Sequence, residues 1–220
     1  MNKPTIFNVI GDSHALVFEY SERQDMIFNV KWVGGATARG SINPNNSTNS
    51  LNTFKQFIDQ NTSDKLIIML GEVDCGYLIW YKHQKEGLDI HSQANEAISR
   101  LLEFISKYVL KYYEAKDIII LGSNPPTIED NADPKFLAGA RSEIKASLKE
   151  RLSLTRYYNS VLKTKCIEHG YHYFDILEHV INEADCIIEK WKHHDKHNHH
   201  LNNDTISLWL SIIEETIYKQ

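Results

Sequence analysis

The amino-acid sequence predicts an α/β fold, a three-layer α/β/α sandwich around a mostly parallel, five-stranded sheet. Three observations predict it. Short apolar runs alternate with longer segments of helical periodicity, four of the runs stop at a glycine, and two are almost continuous in Ile, Leu and Met. Continuous apolar runs are typical of parallel strands buried on both faces, and strand–helix alternation favours right-handed βαβ crossovers.

The predicted strands are short apolar runs that end in turn residues. They cover residues 5–11, 27–34, 65–71, 117–122 and 171–177, and the last has the weakest pattern. The stretch 41–50, "SINPNNSTNS", is predicted to be a loop because Asn, Ser and Pro favour turns. Because this loop is too short to be a domain boundary, we expect one domain over residues 1–220.

Three segments carry apolar residues at helical spacing, each along one stripe, as expected for helices that pack on a sheet. The predicted helices cover residues 92–114, 151–168 and about 204–218. Gly170 follows the second of them and suits a C-terminal cap.

Composition and charge argue against several classes of function. The net charge is −5, and no basic stripe indicates a nucleic-acid partner. No apolar run approaches the roughly 18 residues that span a bilayer, and the first residues do not resemble a signal peptide, so we expect no membrane association and a cytoplasmic location. Cys75, Cys166 and Cys186 are far apart in sequence, which indicates reduced thiols.

Polar or glycine-rich segments follow the first four predicted strands. They are "GDSH" (11–14), "GGATARG" (34–40), "GEVDCGY" (71–77) and "GSNPPT" (122–127). In an open parallel sheet, ligands bind beyond the carboxyl ends of the strands. The four segments therefore predict a functional site along one rim of the sheet.

Ser13 stands at the start of a predicted helix, where two roles are open to it. Asp and Ser are favoured N-caps, because their side-chain oxygens accept hydrogen bonds from unpaired helix amides. The same position exposes a hydroxyl beside N–H groups that can hold an oxyanion. The two roles are compatible, and we expect Ser13 to fill both.

The order of the motifs resembles that of the SGNH hydrolases, also called the GDSL family. The match consists of "GDSH", the glycines after the second strand, "GEVD" and a late "HHLN", and it extends from Gly11 to Leu201. The resemblance implies a flavodoxin-like fold and hydrolysis or transfer of acyl esters, often acetyl groups on carbohydrates. It implies a small acyl ester or an acylated sugar as the ligand, and no cofactor.

The resemblance places the nucleophile at Ser13 and the general base at His200, with His199 as a near rival. A serine hydroxyl is a weak nucleophile until a base removes its proton. The family's aspartate, three residues before the base, is replaced by His197. The nearest acid is Asp195, and we expect its carboxylate to orient the imidazole of the base.

The third motif departs from the family at the oxyanion hole, where Val73 occupies the position of a donating asparagine. Removing one such donor typically lowers turnover by about 100- to 1000-fold. The candidate replacements are the Asn124 side chain and the main-chain amides of Ser13, Gly34 and Gly35.

The remaining rim residues have interpretations of their own. Asp12 is expected to be a structural hydrogen-bonding residue. His14 belongs to a minority "GDSH" version of the motif and is not expected to be the base, since consecutive helical side chains point apart. Glu72 and Asp74 match the third motif, and Glu72 is interpreted as a loop-ordering carboxylate. Arg39 can hold an anionic or hydroxylated group of the substrate, or be a solvated surface residue.

Two further patterns leave alternatives open. The run "GYLIWYKH" (76–83) predicts either a lid that presents Trp80 and Tyr81 to a sugar or a helix packed on the core. The histidine-rich stretch 190–200 can bind a metal, although it lacks zinc-hydrolase spacing and cysteine, and we predict no functional metal. The alternative functions are therefore a metal-dependent protein and a catalytically impaired carbohydrate-binding or scaffold protein of the same fold.

Overall fold

A computed structural model describes residues 3–137 and 139–217, and its centre is a five-stranded sheet in the order β2-β1-β3-β4-β5. All neighbouring strands pair in parallel. The strands are β1 (Thr5–Gly11), β2 (Met26–Trp32), β3 (Lys65–Met69), β4 (Ile118–Leu121) and β5 (His172–Phe174). Each lies within a few residues of its prediction, and the three-layer α/β/α fold is confirmed.

The strand order positions the functional rim. The chain passes from β1 to β2 on one side and then returns to β3 on the other side of β1. In this class of sheet, such a reversal is the point where a crevice opens at the carboxyl ends of the strands. The segments that begin at Asp12 and Leu70 follow β1 and β3 and flank that crevice.

Six α-helices lie among the described residues. They are α1 (Ser50–Gln60), α2 (Ile79–Glu86), α3 (Ile90–Phe104), α4 (Leu148–His169), α5 (Leu177–Val180) and α6 (Ile206–Ile217). None of these is long and apolar enough to cross a membrane. The predicted end of the last helix, residue 218, lies outside the described residues.

Local signals fix several helix ends. Ser147 and Glu150 form a capping box at the start of α4, and Gly170 ends that helix with φ of 73°, as its position in the sequence predicts. The helix predicted over 92–114 ends earlier than expected, because α3 stops at Phe104 and passes into a single π-helical turn, Ile105–Val109. The helices α1 and α5 were not predicted, and α2 overlaps the run 76–83, for which a packed helix is one of the two predictions.

Two apolar cores lie on opposite faces of the sheet, and alternate residues of each strand enter them. In β3, Leu66 and Ile68 enter the core beneath α1, α3 and α4, whereas Ile67 and Met69 enter the core that contains Trp209 of α6. The first core also contains Trp80, which is 6% exposed and donates its Nε1–H to a main-chain carbonyl. Of the two predictions for 76–83, the packed helix is therefore the one observed for Trp80.

Candidate active site

Ser13 is the first residue of a 3₁₀ helix, Ser13–Tyr20, that begins one residue beyond β1. The cap is Asp12 rather than Ser13, because the Asp12 side chain accepts the main-chain N–H of His14 at 2.9 Å. Of the two roles expected of Ser13, the capping role therefore belongs to Asp12 instead. The Ser13 hydroxyl is free of capping and points toward the C-terminal histidines.

The hydroxyl of Ser13 meets the imidazole of His200, although 187 positions separate the two residues in the chain. Ser13 Oγ lies 2.8 Å from His200 Nε2. His200 is held in place from its C-terminal side, where Leu201 pairs with Lys192 in an isolated antiparallel bridge. The Asn202 main-chain N–H also donates to the Trp191 carbonyl at 3.0 Å. The sheet and this bridge together bring the predicted nucleophile and base within hydrogen-bonding distance.

The partner of the other imidazole nitrogen is Asn198. His200 Nδ1 lies 2.7 Å from Asn198 Oδ1, and the same oxygen accepts the main-chain N–H of His200 at 3.0 Å. Two donors on one oxygen orient the amide, so Nδ1 carries the proton and Nε2 presents its lone pair to Ser13. The amide nitrogen of Asn198 lies 3.2 Å from His193 Nε2. A neutral side chain therefore orients the base.

Asp195 does not have the contact expected for it. Its carboxylate accepts the main-chain N–H of His197 at 2.9 Å, and its side chain is 55% exposed. This is a local turn interaction two residues along the chain. The orienting residue is Asn198, which the expectation of an acid did not include. Its position two residues before His200 could have indicated it, because at that spacing a side chain can contact the local backbone.

A buried group of charges lies beneath the Ser13–His200 pair. His14 Nδ1 is 3.1 Å from Asp12 Oδ1 and 3.9 Å from Glu72 Oε2, and its Nε2 is 3.2 Å from the His199 carbonyl oxygen. Glu72 forms a bidentate ion pair with Arg141 at 3.0 and 2.6 Å. Glu72 thus orders a loop, as expected, while Arg141 was not anticipated because no motif surrounds it.

These surroundings set the pKa values of the histidines and of Glu72. Burial lowers the pKa of His200 to about 3, and the nearby His14 charge acts in the same direction. Burial likewise lowers the pKa of His199 to about 4. For Glu72 the charges of Arg141 and His14 outweigh burial and hold its pKa near 2. The imidazole of His200 is therefore neutral at pH 7, the form required of a general base.

A cavity of about 300 Å³ opens at the Ser13–His200 pair. Its wall combines apolar side chains with polar ones such as Asn198 and Thr205; the apolar side chains are Leu16, Val17, Tyr20, Trp32, Leu201 and Trp209. Asn124, which follows β4, reaches the same cavity, and its Oδ1 is buried without a hydrogen-bond partner among the described residues. Of the oxyanion candidates, Asn124 is the side chain that the structure brings to this cavity.

A larger cleft of about 800 Å³ lies beside the loop that follows β2 and is lined by Gly35, Arg39 and Val73. Asp74 fixes this loop by accepting the main-chain N–H groups of Ala38 at 2.7 Å and Arg39 at 3.3 Å. Burial raises the pKa of Asp74 to about 7. Gly34 lies at the same turn but does not line the cleft.

The side chain of Arg39 takes part in the wall of this cleft. It forms an ion pair with Glu96 at 3.0 Å and retains one buried guanidinium nitrogen, Nη1, without a partner among the described residues. Arg39 is thus neither fully solvated nor fully paired.

The histidine-rich stretch forms ring contacts rather than a metal cage. The ring centroids of His193 and His194 are 4.1 Å apart, and those of His199 and His200 are also 4.1 Å apart. The ring of His197 packs on Phe136. Within residues 3–137 and 139–217, no group of three or more His, Cys, Asp or Glu side chains is arranged to hold a metal ion.

Comparison with known proteins identifies the fold. No family model matches the sequence, and neither does any curated protein. The structure is similar to a GDSL-like lipase from Bacteroides thetaiotaomicron, with a TM-score of 0.59, 10% identity, and coverage of 100% of this chain and 92% of the other. It is also similar to a carbohydrate acetylesterase family member from Sinorhizobium meliloti, with a TM-score of 0.59, 15% identity, and coverage of 98% and 100%.

A third solved structure, an extracellular lipase from Streptomyces rimosus, matches with a TM-score of 0.55 and 14% identity over 96% of this chain and 99% of the other. At such identities the similarity establishes architecture alone. The chain has the SGNH/GDSL-type hydrolase fold, as its motifs predict.

Proposed function

We propose that the protein is a serine-dependent ester hydrolase or acyltransferase that forms an acyl-enzyme on Ser13. The observation that carries the proposal is the 2.8 Å contact between Ser13 Oγ and His200 Nε2 at the mouth of a cavity. A nucleophile within hydrogen-bonding reach of a base, with the base oriented by a third group, is the arrangement that acyl transfer requires. Asn198 supplies the third group.

In the acylation step, Ser13 Oγ attacks the ester carbonyl carbon while its proton passes to His200 Nε2. The tetrahedral intermediate collapses by breaking the bond to the alcohol oxygen, which takes the proton from Nε2 and leaves. Water, or an acceptor hydroxyl, then gives a proton to Nε2 and attacks the acyl-enzyme. Collapse of the second intermediate returns the proton to Ser13 and releases the acid or the new ester.

The oxyanion of each intermediate needs donors other than the side chain of Val73, since valine has no N–H beyond its main chain. The Asn124 side chain supports this role, because it reaches the cavity of Ser13 and its amide nitrogen is a hydrogen-bond donor. Main-chain N–H groups at Ser13 and at Gly34 or Gly35 complete the proposed set.

We propose a small acyl group on a hydroxyl-rich alcohol, such as an O-acylated carbohydrate, as the substrate. The cavity of about 300 Å³ has the size suited to a short acyl chain, and apolar side chains such as Leu16 and Trp209 form part of its wall. The cleft of about 800 Å³ supports a polar alcohol, because hydroxyl and amide side chains and the ring of Tyr77 line it.

The test is hydrolysis of p-nitrophenyl acetate by the wild type and by the variants Ser13→Ala and His200→Ala, with and without a chelator. Ser160→Ala and His179→Ala are matched controls, since both residues are exposed and remote from the site. We expect turnover that is independent of the chelator, lost in the first two variants and retained in the controls. Equal rates in all the variants would contradict the proposal, and loss on chelation alone would favour a metal-dependent protein.

The second candidate function is a carbohydrate-binding or scaffold protein without turnover. Val73 at the oxyanion position and a neutral Asn198 beside His200 favour it. The discriminating result is an unreactive Ser13: a fluorophosphonate probe that fails to label the wild type would support this alternative, whereas labelling that disappears in Ser13→Ala would support the hydrolase.

A further inference from the structure

His14 is a buried histidine whose two ring nitrogens both face hydrogen-bond acceptors. Its Nδ1 lies 3.1 Å from the Asp12 carboxylate and its Nε2 lies 3.2 Å from the His199 main-chain carbonyl, while the residue is 5% exposed. Carboxylate and carbonyl oxygens accept and do not donate. A neutral imidazole has one N–H, so only the protonated imidazolium satisfies both contacts.

The charge balance of the surroundings leads to the same state. Asp12 is 1% exposed and Glu72 is 3% exposed, and the Arg141 side chain is 13% exposed. Uncompensated buried charge is strongly unfavourable, so such groups occur in balanced sets. With His14 protonated, two anions and two cations are enclosed together; with His14 neutral, one negative charge would remain unbalanced.

We propose that His14 is a permanently protonated positioning residue for the general base. Its Nε2–H holds the carbonyl of His199 and thereby the turn that presents His200 to Ser13, and its charge adds to burial in disfavouring protonation of the adjacent His200 imidazole. The ring centroids of His14 and His200 are 4.4 Å apart. The role in catalysis rests on the proposed function, whereas the protonation state of His14 does not.

Charged and titratable groups face His14 from three parts of the chain. Asp12 comes from its own turn and Glu72 from the segment after β3, while Arg141, paired with Glu72, has a positive charge that opposes protonation of His14. The rings of His199 and His200 approach from the C-terminal turn, with centroid distances of 5.6 and 4.4 Å. Burial alone would lower the pKa of His14, but Asp12 and Glu72 outweigh it and raise the pKa above 6.5.

The primary test is nitrogen-15 NMR of the protein labelled at its histidine rings, because a protonated imidazole is distinguished directly from either neutral tautomer. The His14 signals are assigned by their loss in His14→Leu, with His179→Leu as the control. We expect both ring nitrogens of His14 to be protonated at pH 7. A single protonated nitrogen of His14 at that pH in the wild type would overturn the proposal.

The same spectra measure the effect of the charge on the base. In His14→Gln, which removes the charge and keeps an N–H that can reach the His199 carbonyl, we expect the pKa of His200 to rise by at least about one pH unit. An unchanged pKa of His200 in a folded variant would overturn the positioning role.

Kinetics separate this inference from the proposed function. We expect the acid limb of the kcat profile to move to higher pH in His14→Gln and in His14→Leu, and kcat at neutral pH to fall further in His14→Leu, which cannot anchor the turn. A purely structural role would lower kcat without moving the limb. Absence of turnover in the wild type would end the hydrolase proposal, while the NMR result would still decide the state of His14.

Discussion

Replacing Asn198 with Asp tests whether a neutral side chain sets the properties of the base. The side chains are almost equal in size, and Oδ1 would keep its contacts with His200 Nδ1, now 2.7 Å, and with the His200 main-chain N–H, now 3.0 Å. The change adds one negative charge against the imidazole and replaces the amide nitrogen, which lies 3.2 Å from His193 Nε2, by an oxygen. It restores the kind of partner that the resemblance to the SGNH hydrolases led us to expect.

The size of the effect follows from the geometry. Opposite unit charges about 4 Å apart attract by about 4 kcal/mol at the effective dielectric of a site near a protein surface, and by about 1 kcal/mol in water. Since one pKa unit corresponds to about 1.36 kcal/mol, we expect the pKa of His200 to rise by about one to three units. From the wild-type value of about 3, the acid limb of the rate profile should therefore move to between about pH 4 and 6.

The assay is kcat for p-nitrophenyl acetate from pH 3 to 8, with unfolding followed by circular dichroism at each pH. Asn52→Asp is the matched control, since it adds the same charge on an exposed residue that lines neither cavity. We also expect kcat at pH 7 to rise by about 10-fold or more, because a carboxylate stabilises the imidazolium of the transition state. An acid limb that stays in place in a folded Asn198→Asp variant would refute the assignment of Asn198 as the orienting group.

Three further predictions concern the oxyanion hole, the buried ion pair and acid stability. Val73→Asn should raise kcat by up to about 100-fold by adding a donor, whereas Val73→Leu, which is close to asparagine in size and has no side-chain donor, should not; equal rates for the two would contradict the alignment of this position. Arg141→Met should destabilise the fold by about 3 kcal/mol or more in urea unfolding, and adding Glu72→Gln should recover part of the loss; a loss under about 1 kcal/mol would contradict a buried pair. His199 and His200 have pKa values of about 4 and about 3 in the folded protein and 6.5 in the unfolded chain. Because the unfolded chain binds more protons below pH 6.5, the free energy of unfolding falls as pH falls from 6.5 toward 4 and 3. The urea midpoint should therefore fall less between pH 7 and pH 5 in His200→Ala than in the wild type, a comparison that cancels the opposite contribution of Asp74, whose folded pKa is about 7; an equal fall would refute it.

The strands and the rim were predictable because their signals are local. Runs such as "KLIIMLG" (65–71) can be buried only when both faces of a strand are covered, and the rule for parallel sheets then places all the carboxyl ends on one edge. The helix α1 gave a weaker signal. Only Leu51, Phe54 and Ile58 form its buried apolar stripe, and its other residues are largely polar.

The details of the site depend on contacts that no local pattern records. Asn198 orients His200 because the segment between Trp191 and Leu201 folds back on itself. The expectation of a charged partner excluded this neutral side chain. Arg141 pairs with Glu72 although 69 positions separate them in the chain. The pair has space because Gly76 has no side chain, and a Cβ atom there would collide with Glu72. Such long-range pairings follow from the assembled fold rather than from composition or spacing.

Asn198 and His14 act on the base in the same direction. A neutral partner on one side and a positive charge on the other both disfavour the imidazolium of His200, and burial adds to them. A base with a low pKa removes the Ser13 proton less readily, but its protonated form is a stronger acid toward the departing alcohol. The alkoxide of an aliphatic or sugar alcohol is a poor leaving group without that proton, whereas p-nitrophenolate is a good leaving group without it. We therefore expect the proposed site to favour alkyl or carbohydrate esters over activated aryl esters.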